Sequence, residues 1–186
     1  MIFETRRTTV VPLEEKHLEP LRRMRNDPST NHWLTDIAPI TKEQQLNWYE
    51  KLKNDESRMY LAIEAKREHV LVDNGLGVFE DFVGVLRSDQ WDMNNRSVRI
   101  GIDISPKYRR KGFGREVFKE FINYLFDNYA LHKLWFLVAE GNNIARTLYE
   151  KLCFKEEGRQ REALFRDGRY WDYVSMSMLE NEWRKK

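Results

Sequence analysis

Two kinds of hydrophobic pattern follow one another along the chain. Apolar residues spaced three and four positions apart are the marker of helical periodicity, and this spacing predicts four helices. Runs rich in β-branched and aromatic residues predict seven strands between them. The predicted helices carry Leu13 to Met24, Leu46 to Leu52, Val117 to Phe126, and Asn143 to Leu152. The predicted strands are Ile2 to Val11, Arg58 to Ala65, Phe82 to Trp91, Ser97 to Ile104, Leu134 to Ala139, Phe154 to Phe165 and Arg169 to Met178.

Capping and turn residues refine this order, which is β-α-α-β-β-β-α-β-α-β-β. Thr41-x-x-Gln44 is a capping box that begins the second helix. Residues 28–40 hold two prolines and are predicted to be a loop. Asp167-Gly168 is a hairpin turn signal between the last two strands, and Asp73-Asn74-Gly75 indicates an extended hairpin arm at 66–80.

Composition narrows the class of protein. With 186 residues, 41% of them hydrophobic, the chain is predicted to be one domain, 1–186, with a packed core. The net charge of +2 does not favour a nucleic-acid partner. The longest apolar run, Leu134 to Ala139, is far shorter than the roughly 18 residues of a membrane-spanning helix. One cysteine, four scattered histidines and a start that is not a signal peptide predict a cytoplasmic protein without a metal site.

The most informative turn joins the fourth strand to the third helix. Pro106 breaks the strand, and Arg109, Arg110 and Lys111 precede Gly112-Phe-Gly114 at the helix start. A helix N-terminus carries unpaired N–H groups and partial positive charge, and glycines let a bulky anion approach. The pattern is suited to a pyrophosphate. Ordinary turn glycines beside a solvated basic surface remain an alternative, whereas the dinucleotide and nucleotide-triphosphate fingerprints do not fit.

Three segments then resemble one family, the GCN5-related N-acetyltransferases (GNAT). Arg109-Arg-Lys-Gly-Phe-Gly114 resembles its motif A, Arg/Gln-x-x-Gly-x-Gly/Ala. Asn142 to Phe154 resembles Asn-x-x-Ala-x-x-Leu-Tyr-Glu-x-x-Gly-Phe, with Cys153 where the motif has glycine. The tail Glu157 to Asp172 resembles the ribosomal-protein N-terminal acetyltransferase and spermidine N-acetyltransferase branches.

The resemblance implies an α/β (α+β) fold of the GNAT type. Its central sheet would be mixed and mostly antiparallel, with about seven strands and about four flanking helices. It also implies direct transfer of acetyl from acetyl-coenzyme A (acetyl-CoA) to a primary amine of a small molecule or peptide. The strand before motif A would splay from the central strand and expose its edge to the cofactor arm. The residues implied in cofactor binding are Ile102, Asp103, Ile104, Arg109, Arg110, Lys111, Gly112, Phe113, Gly114, Arg115, Asn142 and Ala145.

The same resemblance assigns catalytic roles. Tyr149 stands at the family's tyrosine and would donate a proton to the departing thiolate, with an ordinary core residue as the alternative. Where many relatives have a glutamate base, this chain has Arg99, and a cation cannot be that base. Glu140 is a candidate for the base, and Asp36 and Asp89 are the other candidates. The missing glutamate argues against a polyamine acceptor.

The expected acceptor pocket includes Arg25, Asn26, Arg99 and Tyr170. The sequence does not decide whether the acceptor is an amino sugar, a protein N-terminus or a polyamine. A different class of function is an acyl-CoA sensor that binds the cofactor without turnover. The apolar residues of the 66–80 arm would have to pack against another surface, and a second subunit in a homodimer is one such surface.

Overall fold

The structure of the chain, a computed structural model, describes residues 1–71 and 81–185. Within these ranges eight strands form one sheet. The strands are β1 (Phe3–Glu4), β2 (Thr8–Pro12), β3 (Met59–Ala65), β4 (Phe82–Asp92), β5 (Ser97–Ile104), β6 (Lys133–Ala139), β7 (Lys155–Arg166) and β8 (Arg169–Leu179). The α-helices are α1 (Leu18–Asn26), α2 (Pro28–Asn31), α3 (Lys42–Lys53), α4 (Phe113–Asn128), α5 (Asn143–Lys151) and α6 (Glu180–Arg184).

The sheet has the strand order β1-β2-β3-β4-β5-β6-β8-β7. Neighbouring strands are antiparallel except for β5 and β6, which run parallel. A parallel pair needs a long crossover, and α4 supplies it between these two strands. The predicted mixed and mostly antiparallel sheet with flanking helices is therefore confirmed.

Two hydrophobic clusters cover the two faces of the sheet. Leu61 and Ile63 of β3 belong to the cluster under α4, whereas Ala62 between them belongs to the cluster under α1. Successive residues of a strand point to opposite faces, so the two clusters lie on opposite sides. The inner face of α4 is fully buried, and each such side chain contributes about 1.5–3 kcal/mol relative to an exposed one. These residues are Val117, Phe118, Phe121, Ile122 and Leu125.

The first predicted strand is two strands in the structure. The chain turns between β1 and β2, where the Thr5 N–H donates to the Thr8 carbonyl over 2.8 Å. The hydroxyls of Thr5 and Thr8 are also 2.8 Å apart, and both residues are buried. The prediction of a single long strand was wrong, because the Thr5–Thr8 pair stabilises a tight turn at polar residues within a β-branched run.

The segment predicted to be a loop at 28–40 contains α2. Asp27 begins this short helix by accepting a hydrogen bond from the Ser29 N–H over 2.9 Å, and Pro28 occupies the first helical position. Aspartate as an N-cap followed by proline is a helix start signal, and it directly follows the end of α1.

The predicted hairpin arm at 66–80 is described only in its first part. A 3-10 turn covers Arg67–His69, and residues 72–80 lie outside the described residues. In the part of the chain that the structure describes, no helix is long and apolar enough to span a bilayer.

Candidate active site

The cleft of the molecule opens where β5 and β6 separate. The two strands pair over only three positions, from Ser97 with Lys133 to Arg99 with Trp135. Beyond Arg99, β5 pairs with β4 alone, and β6 pairs with β8. The far half of β5 therefore presents an open edge to a cleft of about 1170 Å³. The splay that the resemblance implied is present.

The turn before α4 forms one end of this cleft. Gly112 is the N-cap of α4 with φ at +86°, in the left-handed region. Arg7 reaches the turn from the loop between β1 and β2 and donates to the Lys111 carbonyl over 2.7 Å. The same guanidinium binds Glu116 in the first turn of α4, also over 2.7 Å. This brace was missed in the sequence because its partners are far apart along the chain.

The four basic residues of the turn differ in what they contact. Arg110 and Arg115 are exposed and make no side-chain hydrogen bond or ion pair within residues 1–71 and 81–185. Lys111 donates to the Lys107 carbonyl over 2.7 Å. Together with the partial positive charge at the start of α4, Arg110 and Arg115 make this end of the cleft electropositive.

Arg109, unlike Arg110 and Arg115, makes side-chain hydrogen bonds, and these link the end of β5 to α2. Its guanidinium donates to the Ile104 carbonyl and to the Ser29 hydroxyl, each over 2.8 Å, and to the Thr30 hydroxyl. Burial lowers the pKa of Arg109 below its ordinary value. Arg109 thus joins the end of β5 to α2, and it also lines the cleft.

A ladder of alternating charges lies across β4 and β5. Arg99 grips Asp89 with two hydrogen bonds of 2.5 and 2.8 Å, and Arg87 forms an ion pair with Asp103. Arg87 reaches Asp103 by lying over Gly101, where a Cβ would be 2.8 Å from the guanidinium carbon. Each acid of the ladder is thus held by an arginine. Asp89 and Arg99 neutralise each other, and both line the cleft.

Tyr149 on α5 faces the same cleft from the opposite wall. Its ring packs against Phe136 of β6 with 3.9 Å between centroids, and the residue is 7% exposed. Its hydroxyl makes no hydrogen bond within the described ranges. Burial raises the pKa of this phenol, and the Asp103 carboxylate adds to the rise while Arg87 opposes it. The phenol therefore keeps its proton at neutral pH, as a general acid must.

Asn142 caps the helix that carries Tyr149. Its side-chain oxygen accepts from the Ala145 N–H over 3.2 Å, and both residues line the cleft. Asn142 is therefore the N-cap of α5, and its amide nitrogen has no partner in the described chain.

Besides Lys111 and Phe113 at the start of α4, three predicted site residues do not line the cleft. Asn26 uses its whole side-chain amide on the backbone of Ile40, with both hydrogen bonds 2.8 Å long. Tyr170 is 61% exposed at the end of the β7–β8 hairpin and packs on Phe165. Glu140 lies 3.4 Å from Arg159 and outside the cleft lining. A turn, a hairpin end and a surface ion pair account for these residues. Arg25, by contrast, lines the cleft.

One wall of the cleft is built by contacts that the sequence did not reveal. Arg166 at the end of β7 donates to the His32 carbonyl over 2.9 Å and to the Leu34 carbonyl. Trp33 packs edge-on against Trp171 with centroids 5.6 Å apart. Gly141 lies beneath this pair, where a Cβ would be 2.5 Å from Trp33. The hairpin thus fixes residues 32–35 over the cleft.

Comparison with known proteins places the chain in a family. A sequence model of the family described as "Acetyltransferase (GNAT) domain" matches residues 7–155. The chain belongs to the GNAT acetyltransferases. It is 33% identical over 176 residues to a spermidine N(1)-acetyltransferase of Vibrio cholerae, covering 94% of each chain. It is 27% identical over 177 residues to the putative ribosomal N-acetyltransferase YdaF of Bacillus subtilis, covering 94% of this chain and 92% of that protein.

The GNAT fold is also seen directly in solved structures. Spermidine N-acetyltransferase from Vibrio cholerae in complex with CoA and spermine superposes with a TM-score of 0.83 at 24% identity, over 95% of this chain and 98% of that chain. The family match and the 33% identical relative show that the chain is an N-acetyltransferase.

Proposed function

We propose that the protein transfers acetyl from acetyl-CoA to a primary amine of a small molecule or peptide. One observation carries this proposal: an anion-binding turn, an open strand edge and a buried phenol line a single cleft. A bound acetyl-CoA supplies the thioester whose carbonyl carbon the amine attacks. A spermidine N-acetyltransferase that matches the fold was solved in complex with CoA, which supports the choice of donor.

The residues of the turn would hold the pyrophosphate. The amides at the start of α4 offer unpaired donors, and Arg110 and Arg115 add charge without an acid to neutralise them. The brace from Arg7 keeps the turn in place before the anion binds, which lowers the entropy cost of ordering it. The open edge of Ile102–Ile104 would pair with the amides of the cofactor arm, as an added strand does.

Tyr149 would act as the general acid. Its Oη carries a proton at neutral pH and would donate it to the thiolate as the carbon–sulfur bond breaks. Phe136 and the buried surroundings hold the ring in one orientation. Tyr149 would therefore donate its proton without a change of side-chain conformation.

The amine needs a base, and Asp36 supplies the remaining carboxylate. Among the described residues that line the cleft the acids are Asp36, Asp89 and Asp103. The last two are each held by an arginine, whereas Asp36 only accepts the Ala38 N–H over 2.9 Å. Removal of the amine proton by Asp36, directly or through water, is thus part of the proposal.

Replacing the phenol tests the proposal. Tyr149→Phe keeps the ring and its packing but removes the proton, so kcat falls about 100-fold while the KM for acetyl-CoA stays unchanged. Tyr124→Phe is the matched control, because Tyr124 hydrogen bonds to Tyr129 outside the cleft lining. Release of free thiol with a panel of amines measures both. Unchanged kcat in Tyr149→Phe removes this acid, and cofactor binding without thiol release from any amine identifies a sensor.

The predictions of a cytoplasmic location and of a homodimer stay predictions. Neither is tested by the fold or by the relatives, and the arm on which the homodimer rests falls mostly at 72–80.

A further inference from the structure

Away from the turn before α4, the cleft contains a guanidinium, that of Arg25, for which the described residues supply no hydrogen-bond or ion-pair partner. Arg25 lies in the last turn of α1 and lines the cleft beside Leu21 and Trp48. Its Nε is buried and makes no hydrogen bond, and no acid among residues 1–71 and 81–185 pairs with it. A buried charged donor left without a partner destabilises a protein, so a group of this kind in a cleft points to a ligand.

Apart from Arg110 and Arg115 at the turn before α4, the other arginines that line the cleft already have partners. Arg87 and Arg99 are neutralised within the charge ladder, as described above. Arg58 lies 3.2 Å from Asp55. These pairs leave Arg25 as the cation on the acceptor side that is open to an incoming anion. Asp36 is also left without a cation, so the excess positive charge is local to Arg25, and a polycation is disfavoured at that position.

The guanidinium also has the right shape for one class of anion. Arginine presents planar pairs of N–H donors that match the two oxygens of a carboxylate or a phosphate. Arg25 stands on a helix whose Leu21 and Met24 are buried, so its backbone is fixed by the core. Trp48 and Tyr60, which pack edge-on at 5.1 Å, give the adjoining wall an apolar aromatic surface.

We propose that the acceptor is a primary amine that also carries a carboxylate or phosphate group, and that Arg25 binds that group. This inference rests on the proposed acetyl transfer and names the chemistry of its acceptor. Binding the anion at Arg25 orients the amine at the other end of the same molecule. A polyamine, in contrast, would place additional positive charge beside an uncompensated guanidinium and would bind poorly.

Matched pairs of amines test the proposal. The pairs are 4-aminobutyrate against 1,4-diaminobutane, and 2-aminoethyl phosphate against 2-aminoethanol. Acetylation is followed by thiol release, and binding of each amine to the CoA-saturated protein and to the free protein is measured by calorimetry. We expect the anionic member of at least one pair to be preferred by about 10-fold or more. The pair that shows the preference distinguishes a carboxylate from a phosphate.

Variants of Arg25 connect any preference to this side chain. In Arg25→Gln the KM for the preferred anionic amine rises about 10- to 100-fold, while the KM for acetyl-CoA does not change. Arg25→Lys keeps the charge and restores part of the loss. Arg23→Gln is the matched control, because Arg23 on the same helix is exposed and pairs with Glu19.

Two results overturn the proposal. One is that neither anionic amine binds to the free or the CoA-saturated protein. The other is a preference for the uncharged or cationic members that Arg25→Gln leaves unaltered. Either result leaves acetyl transfer intact if thiol is still released with another amine. Failure of the proposed function itself would instead appear as absence of acetyl-CoA binding, whichever amine is present.

Discussion

Gly112 is the residue on which the shape of the anion-binding turn depends most. Its φ of +86° lies in a region that side chains with a Cβ rarely adopt, and a Cβ there would approach Arg7 Nη2 to 3.0 Å. Arg110 in the same turn already holds a φ of +58° without being glycine. Left-handed residues clustered at one turn are typical of functional sites that the surrounding structure holds in place.

Gly112→Ala should weaken binding of the donor. The added methyl group strains the backbone and displaces the Arg7 brace, so we expect the KM for acetyl-CoA to rise about 10-fold, which corresponds to about 1.4 kcal/mol. Gly168→Ala is the control, since its φ of +72° imposes the same strain with no neighbour within 4 Å. Both variants should lose about 1 kcal/mol of stability. Equal KM values in the two would contradict the role of the turn.

Cys153 is a second residue whose backbone favours glycine. It follows α5 with a φ of +62° and is exposed, and its N–H donates to the Glu150 carbonyl over 2.8 Å. A residue that ends a helix in the left-handed region is usually glycine, which the family motif has at this position.

We expect Cys153→Gly to raise the free energy of unfolding by about 0.5–1 kcal/mol through the strain it removes. Cys153→Ala, which keeps a Cβ, should leave that free energy unchanged. Denaturant unfolding of the three proteins measures the difference. A glycine variant that is less stable than the alanine variant would show that no strain is stored there.

At the scale of whole elements, the β7–β8 hairpin shapes the acceptor side of the cleft. Arg166 binds the backbone carbonyls of His32 and Leu34 and so holds a segment more than 130 residues away in sequence. Trp171 on β8 supports the same segment through Trp33. Hydrogen bonds from a charged donor to buried carbonyls are among the stronger ones in proteins.

Arg166→Gln should therefore loosen residues 32–35, because they lose their hydrogen bonds to the β7–β8 hairpin. The KM for the amine rises about 5-fold or more as two charge-assisted hydrogen bonds are lost, while the KM for acetyl-CoA is unaffected. Arg161→Gln serves as the control, because Arg161 is exposed on the same strand and has no side-chain partner in the described chain. Steady-state kinetics with each substrate varied in turn separates the two effects. A parallel rise in both KM values would argue for general destabilisation instead.

The elements that the sequence predicted well are those with a strong local signal. The Thr41 capping box begins α3, and the apolar run Leu134 to Ala139 forms β6, as predicted. α2 was missed because its Asp-Pro start follows α1 without a gap. Contacts between distant residues, such as Arg7 with Glu116, carry no local pattern and could not be predicted. For the same reason the sequence did not reveal that the side chains of Asn26, Tyr170 and Glu140 lie outside the cleft lining.

At the scale of the molecule, one side of the cleft belongs to the β1–β5 part of the sheet and the other to β6–β8. The two parts are joined by the three β5–β6 pairs, with α4 as the connection in sequence. A ligand that contacts Ile102–Ile104 on one side and the Tyr149 wall on the other bridges both parts. Such a ligand binds the folded state only, and at 100 times its Kd it stabilises that state by about 2.7 kcal/mol.

Calorimetric titration of the purified protein with acetyl-CoA, paired with thermal unfolding in its presence, tests the central claim most directly. The account predicts saturable binding with a Kd between about 1 μM and 1 mM, a raised Tm, and weaker binding in Gly112→Ala than in Gly168→Ala. Absence of heat from a folded protein, together with an unchanged Tm, would contradict it.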